Sequence, residues 1–237
     1  ENLKNMLGKE TLEKYDAFWP KSYDQIGDLI IFKLKNEVKK YSSEIGSAII
    51  QKNPNARLAL LDGGVMGEYR IRKLRPLAIK NQDTLEIQTI ALEEIAEIST
   101  KTTVRENGFD IIVDPRKAYY SPRLSNERLG TLKAAIKLSE KLDRPLYVAD
   151  PYAGVGPSIV PLICEKNLVN EIYASDINPQ AVELLKENIE KHSTNPFEEF
   201  AKIEVEDARN LLQKESLIGK FDLLLVNIPH DSLEHLQ

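Results

Sequence analysis

The chain has 237 residues, of which 42% are hydrophobic and 29% charged, enough for one large domain or two small ones with a full apolar core. Its only cysteine is Cys164, its three histidines (His192, His230, His235) lack metal-ligand spacing, and no apolar run is long enough to cross a membrane, so a disulfide framework, a zinc cluster and a membrane span are excluded. The net charge of −5 hides an asymmetry, with 25 basic against 21 acidic residues in 1–148 and 7 against 16 in 149–237, which leaves room for a basic face that meets a polyanion.

Residues 1–19 alternate apolar and charged positions at near-helical spacing and stop at Trp19-Pro20. Gly27-Asp28 opens an apolar strand, Leu29–Phe32. Val38, Tyr41, Ile45 and Ile49 fall on one side of an amphipathic helix over 36–51. A strand over Ala56–Leu61 is expected to close at the turn signal Asp62-Gly63-Gly64. Residues 84–98 read as a strand followed by a helical turn. Asn107-Gly108, between Thr102–Arg105 and Phe109–Val113, marks a hairpin, because both turn positions tolerate positive φ. A helix over 125–142 buries Leu129, Leu132, Ala135, Ile136 and Leu142, with Ser125 or Asn126 as its cap.

From Pro145 onward strands and helices alternate. The strands are 146–149, 171–175, 201–205 and 221–226, and the helices are 157–166, 179–191 and a short one near 207–213. That alternation predicts an α/β fold, a doubly wound Rossmann-like domain over 145–237, preceded by a smaller α+β domain over 1–144. The fourth strand falls just before Gln237, so the C-terminal part of the sheet is expected to be missing. With no signal peptide in view, the expected location is cytoplasmic.

Asp150-Pro151-Tyr152-Ala153-Gly154-Val155-Gly156-Pro157 follows a strand and opens a helix. Its glycines let backbone approach a ligand closely, and they equally suit a tight strand-to-helix turn. Asp176 ends the next strand, where a carboxylate accepts from the two hydroxyls of a ribose. Asn178 before Pro179 is a sufficient helix cap, which releases Asp176 from that duty. Asp207 follows the third strand, either as an acceptor for an adenine amino group or as a cap. These acidic loops lack a pyrophosphate cradle, and Asp150 would repel one, so S-adenosylmethionine is favoured over a dinucleotide. After the fourth strand, Asn227-Ile228-Pro229 is either a turn or a base-edge contact, since an amide both donates and accepts. The bases Arg57, Arg70, Arg72, Lys73, Arg75 and Lys80 either face a nucleic acid or line a solvated strand. Glu127, in the first turn of the helix over 125–142, either takes a proton from a ring nitrogen or complements the helix dipole.

Seven motifs in this order resemble the archaeal and eukaryotic tRNA (guanine-N1)-methyltransferases, which act on the guanosine 3′ to the anticodon. They are Tyr-Asp-x-Ile-Gly-Asp (23–28), Gly-Glu-Tyr-Arg-x-Arg (67–72), Arg-Glu-Asn-Gly (105–108), Tyr-Ser-Pro-Arg-Leu-x-x-Glu-Arg (120–128), Ala-Gly-Val-Gly-Pro (153–157), Asp-Ile-Asn-Pro (176–179) and Asn-Ile-Pro (227–229). The resemblance implies catalysis by Glu127 as general base on guanine N1, by Asn227 beside the guanine, and by one of Arg70 and Arg72, here Arg72, against charge on O6. It implies S-adenosylmethionine bound by Tyr119, Asp150, Tyr152, Gly154, Gly156, Asp176, Ile177, Asp207 and Asn227. It implies the tRNA anticodon arm, held by Arg70, Arg72, Arg123, Arg128 and Pro229, as partner of a monomer without metal, with the target base flipped out. The chain departs from the family at His230, where Lys is usual, and at Asp150-Pro151-Tyr152, where Asp-Met-Phe is usual. A sister family, which transfers an aminocarboxypropyl group from the same cofactor to a wyosine precursor, shares the first motifs. Relatives that methylate a wyosine intermediate, a non-catalytic RNA-binding homologue and a small-molecule methyltransferase are the other readings.

Overall fold

The protein is described by a computed structural model over residues 2–194 and 196–227. It forms two compact units, 1–104 and 105–237.

The first unit runs through α1 (Asn2–Leu7), α2 (Lys9–Lys14), β1 (Asp24–Ile26), β2 (Leu29–Phe32), α3 (Ser42–Lys52), β3 (Leu58–Met66), β4 (Ile71–Lys80) and β5 (Ile87–Thr89). Its sheet has the order β1-β2-β3-β4-β5, with β2 and β3 parallel and the other neighbours antiparallel. The expected strand at 29–32 is buried at all four positions. Its side chains Ile30 and Phe32 meet Ile45 and Ile50 of α3 in one core.

Two local expectations are corrected. The helix expected over 36–51 is a 3₁₀ segment, Asn36–Tyr41, followed by α3, because Tyr41 takes φ −101°, ψ 20° at the junction. The strand expected to stop at Leu61 continues to Met66. Asp62 Oδ1 accepts from Gly64 N at 2.8 Å, and the register with β4 slips between Asp62 and Val65. A bulge therefore absorbs what reads as a turn signal.

β6 (Thr102–Glu106) and β7 (Phe109–Val113) form the expected hairpin around Asn107 (φ 51°) and Gly108 (φ 92°). The second unit continues with α4 (Ser125–Leu142), β8 (Leu146–Asp150), α5 (Ile159–Cys164), β9 (Val169–Asp176), α6 (Pro179–His192), β10 (Ala201–Val205) and β11 (Leu223–Leu224). The sheet order is β10-β9-β8-β11, parallel throughout. The chain steps outward from β8 to β10 and returns past β8 to β11, so the order reverses beside the carboxyl end of β8. In open α/β sheets that is the ligand-binding crevice. Ala135 of α4, Val148, Ile159, Ile172, Leu185 and Ile189 belong to its core.

The sequence puts the division between domains at 144, whereas packing puts it at 104/105. Side-chain amides fasten the intervening segment to the parallel sheet. Asn188 of α6 accepts from Ile112 N (2.7 Å) and donates to Ile112 O (2.8 Å), and Asn178 donates to Lys117 O (2.8 Å).

Gly156 has no room for a side chain. It sits at φ 83°, and a Cβ there would lie 2.5 Å from Leu185 Cδ1, itself fully buried. Gly156→Ala is expected to destabilise the protein by about 2–4 kcal/mol, the sum of backbone strain and overpacking. Urea denaturation measures it, and an unchanged midpoint would mean that Leu185 has space to retreat.

Candidate active site

Of the residues expected to hold a cofactor, Asp150, Tyr152, Gly154, Gly156, Asp176, Ile177 and Asp207 lie at the carboxyl ends of β8, β9 and β10. Gly154 takes φ 54°, and a Cβ built on it would meet nothing within 4 Å, so this point of the loop is open. Its N–H donates to Asp176 Oδ2 at 2.9 Å. Asp176 Oδ1 accepts from Asn178 N at 2.9 Å. Asp176 thus fastens the glycine loop of β8 to the turn after β9, with lone pairs left on both oxygens. Asn178 caps α6 as expected, accepting from Gln180 N at 3.0 Å. Tyr152, Gly154, Asp176 and Ile177 are half-buried, whereas Asp150 and Gly156 are buried.

Asp207 performs the capping role. Its carboxylate accepts from Arg209 N at 2.9 Å and pairs with the Arg209 guanidinium. It still influences the site, since burial and then the charge of Asp207 push the Tyr152 hydroxyl above its ordinary range.

Burial pushes the carboxyl of Asp150 up to about 7. One hydrogen bond, from Tyr152 N at 3.2 Å, opposes the shift, and the charge of Asp176 adds to it. Burial likewise raises Asp176 against its two backbone donors. Asp150 titrates near 3.8 in the unfolded chain, so its contribution to stability is full below that pH and is lost as pH rises through 7. Asp150→Asn, neutral at every pH, is expected to be more stable than the parent above pH 7 by about 4 kcal/mol and to match it near pH 4. Unfolding free energies measured across that range check this, and parallel curves would contradict it.

The residues expected to face the substrate divide. Glu127 is exposed in the first turn of α4, and Arg123 is exposed just before that helix. Tyr119 is 41% exposed and lies two residues after Lys117, whose carbonyl is held by Asn178. Asn227 is exposed after β11, which pairs with β8 through Leu224 and Ala149. Pro229 lies outside the described residues. Arg128 corrects the expectation: it is 4% exposed, and its guanidinium pairs with Glu106 at 2.6 Å instead of facing a substrate. The helix cap is corrected too. The N-cap position is Leu124, without a side-chain cap, and Ser125 O and Oγ accept from Asn107 Nδ2 at 3.0 and 3.1 Å.

In the first unit the basic stretch is largely structural. Arg57 pairs with Asp28 at 2.7 Å, Arg75 donates to Ser42 Oγ at 3.0 Å, and buried Lys80 donates to Asn53 O and Pro54 O at 3.1 and 2.7 Å. Arg72 pairs through Nη2 with Asp24 at 3.1 Å, while its buried Nη1 has no hydrogen-bond partner. Arg70 is exposed, at φ 52°.

Two buried residues that hold the segments around the site, Glu106 and Asn188, were not singled out from the sequence. Asn188 is fully buried and also donates to Val155 O, within the glycine loop, at 2.9 Å. Its signal is an amide on the apolar stripe of α6, four residues after Leu184. Among the described residues no group of His, Cys, Asp and Glu is placed to hold a metal, and no helix is long and apolar enough to cross a membrane.

A parallel sheet with an open glycine loop after its first strand and a carboxylate ending its second is a Rossmann-like domain, with its ligand crevice at those loops. Residues 102–237 match the TRM5/TYW2 methyltransferase domain, and residues 3–78 match the TYW2 N-terminal domain. The chain belongs to the TRM5/TYW2 methyltransferase family. It is 33% identical to the tRNA (guanine(37)-N(1))-methyltransferase Trm5b of Pyrococcus abyssi, over 92% of this chain and 56% of that protein. The complex of aTrm5 with tRNALeu superposes with a TM-score of 0.68 at 29% identity, over 99% of this chain and 60% of that one. Methanocaldococcus jannaschii Trm5 in complex with adenosine gives 0.65 at 30% identity, over 96% and 60%. The chain spans about half the length, or less, of the curated relatives it matches.

Proposed function

We propose that the protein transfers the methyl group of S-adenosylmethionine to N1 of guanosine 37 in tRNA, 3′ to the anticodon. One arrangement carries the reading. The acid-lined end of β8 and β9 lies in the same unit as an exposed carboxylate, Glu127, and an exposed amide, Asn227, and relatives of this chain bear the name of that activity. The residues fit the cofactor. Gly154 leaves an open floor, Asp176 has lone pairs for a ribose diol, and buried Asp150 gains a favourable partner in a cationic ligand. A pyrophosphate would meet two carboxylates there. The adenosine bound by the M. jannaschii relative has the same nucleoside chemistry.

S-adenosylmethionine, when bound, supplies an electrophilic methyl group on a sulfonium. The chain's own residues govern the rest. Glu127 accepts the proton that guanine N1 gives up as its new N–C bond forms. The family resemblance assigns the negative charge that the departing proton leaves on O6 to Arg72. Asn227 holds the base edge with its amide. Arg70 and Arg123 meet the anticodon arm, and Tyr119 stands by the cofactor.

The match to the TYW2 N-terminal domain favours a second reading, aminocarboxypropyl transfer to a wyosine precursor. Mass spectrometry of nucleosides from tRNA incubated with protein and cofactor separates the two. Methylguanosine supports the proposal, and an aminocarboxypropyl adduct replaces it with the second reading.

A further inference from the structure

Glu127 follows from its neighbours. The first turn of α4 has no side-chain cap, so the usual device that fixes a helix start is missing. Another device stands in its place. Arg128, the residue after Glu127, points inward: Nη1 donates to Glu106 Oε2 at 2.6 Å and Nη2 to Ser121 O at 3.0 Å. Its guanidinium lies 5.1 Å from the centre of the Tyr120 ring. The Tyr120 hydroxyl donates to the same Glu106 oxygen at 2.6 Å. All three side chains are at least nine-tenths buried. One residue further along the hairpin, Asn107 grips Ser125 through both its carbonyl and its hydroxyl. The tip of the β6–β7 hairpin therefore holds residues 125 and 128, and Arg128 in turn holds Ser121, so that Glu127 is bracketed on both sides.

Stability alone is a poor explanation for this cluster. A buried ion pair is often no better than apolar packing of the same volume. Here it also leaves Arg128 Nε buried without a hydrogen-bond partner, which is destabilising. The guanidinium is held where its other contacts require it, at the expense of that atom. Successive side chains on a helix point about 100° apart, so a pinned Arg128 sends Glu127 outward in one direction.

We infer that Glu106 is a positioning residue: through the buried Glu106–Arg128–Tyr120 cluster, and with Asn107 on Ser125, it aims the carboxylate of Glu127 at the substrate. This rests on the reading of Glu127 as general base. Glu106 touches neither substrate nor cofactor and acts entirely through Arg128 and the start of α4.

The test is a double-mutant cycle in the full chain, with kcat and cofactor KM measured for methyl transfer to tRNA and folding followed by thermal melting. Glu106→Gln is expected to lower kcat by about 10- to 100-fold, the scale of a displaced catalytic group, with cofactor KM changed less than about twofold. In the background of Glu127→Gln, Glu106→Gln should add less than about a further twofold, because there is no longer a base to aim. Asn107→Gly keeps the positive-φ turn and removes only the amide. It should lower kcat several-fold with the same loss of effect over Glu127→Gln, and it carries the test if Glu106→Gln does not fold. Full rates in Glu106→Gln and Asn107→Gly beside an inactive Glu127→Gln overturn the positioning role alone. Losses that multiply with that of Glu127→Gln assign the cluster a purely structural role and overturn it as well. A fully active Glu127→Gln overturns the base reading, and the inference falls with it.

Discussion

Replacing Glu127 by alanine is expected to slow methyl transfer to tRNA by about 10²- to 10⁴-fold, the range contributed by a general base, with cofactor affinity changed less than about twofold. Guanine N1 carries a proton that has to leave before or as the methyl arrives. The residue assigned to remove it is an exposed carboxylate in the first turn of α4, outside the glycine loop and the Asp176 turn. Loss of that carboxylate removes an interaction made in the transition state, so kcat and kcat/KM fall together. Glu127→Gln tests the charge alone, since it keeps the shape. Single-turnover kinetics with calorimetric cofactor binding make the measurement. A parallel fall in cofactor affinity would move Glu127 from the reaction to the cofactor site.

Asp176→Ala should do the reverse. Its carboxylate accepts two backbone N–H groups at 2.9 Å, one from Gly154 in the cofactor loop and one from Asn178 at the start of α6. Hydrogen bonds to a charged group contribute about 1.5–3 kcal/mol each, and their donors are left unpaired when the acceptor goes. Removal of the side chain also deletes the acceptor assigned to the ribose. Cofactor affinity is expected to fall by about 100-fold or more, and the unfolding midpoint is expected to drop as the glycine loop loosens. Asp176→Asn, which keeps one acceptor oxygen, should lie between. Unchanged affinity in Asp176→Ala would mean that the carboxylate serves only to hold the loop.

Local signals in the sequence carried most of the second unit. The hairpin at Asn107-Gly108 and the helix over 125–142 were legible from turn chemistry and apolar spacing, and the strand–helix alternation from Pro145 was legible from its period. Asn178 was legible as a cap because Pro179 follows it. What stayed hidden depends on partners far along the chain. Arg128 reads as a surface base beside Glu127, and only Glu106, 22 residues earlier, reveals it as buried. Asn188 meets Ile112 across 76 residues. The division at 104/105 escaped for the same reason, since these amides and α4 attach residues 105–144 to the sheet. In the first unit, Asp62-Gly63-Gly64 carried turn chemistry that the fold uses as a bulge, because pairing with β4 resumes at Val65.

The proposed function turns on which atom of the tRNA receives the methyl group. The most direct measurement is transfer of labelled methyl from S-adenosylmethionine to two tRNA transcripts that differ only in G or A at position 37, with nucleosides identified after digestion. The expected result is 1-methylguanosine from the G37 transcript and no label in the A37 transcript. Equal labelling of both, or label in any nucleoside other than 1-methylguanosine, would contradict it.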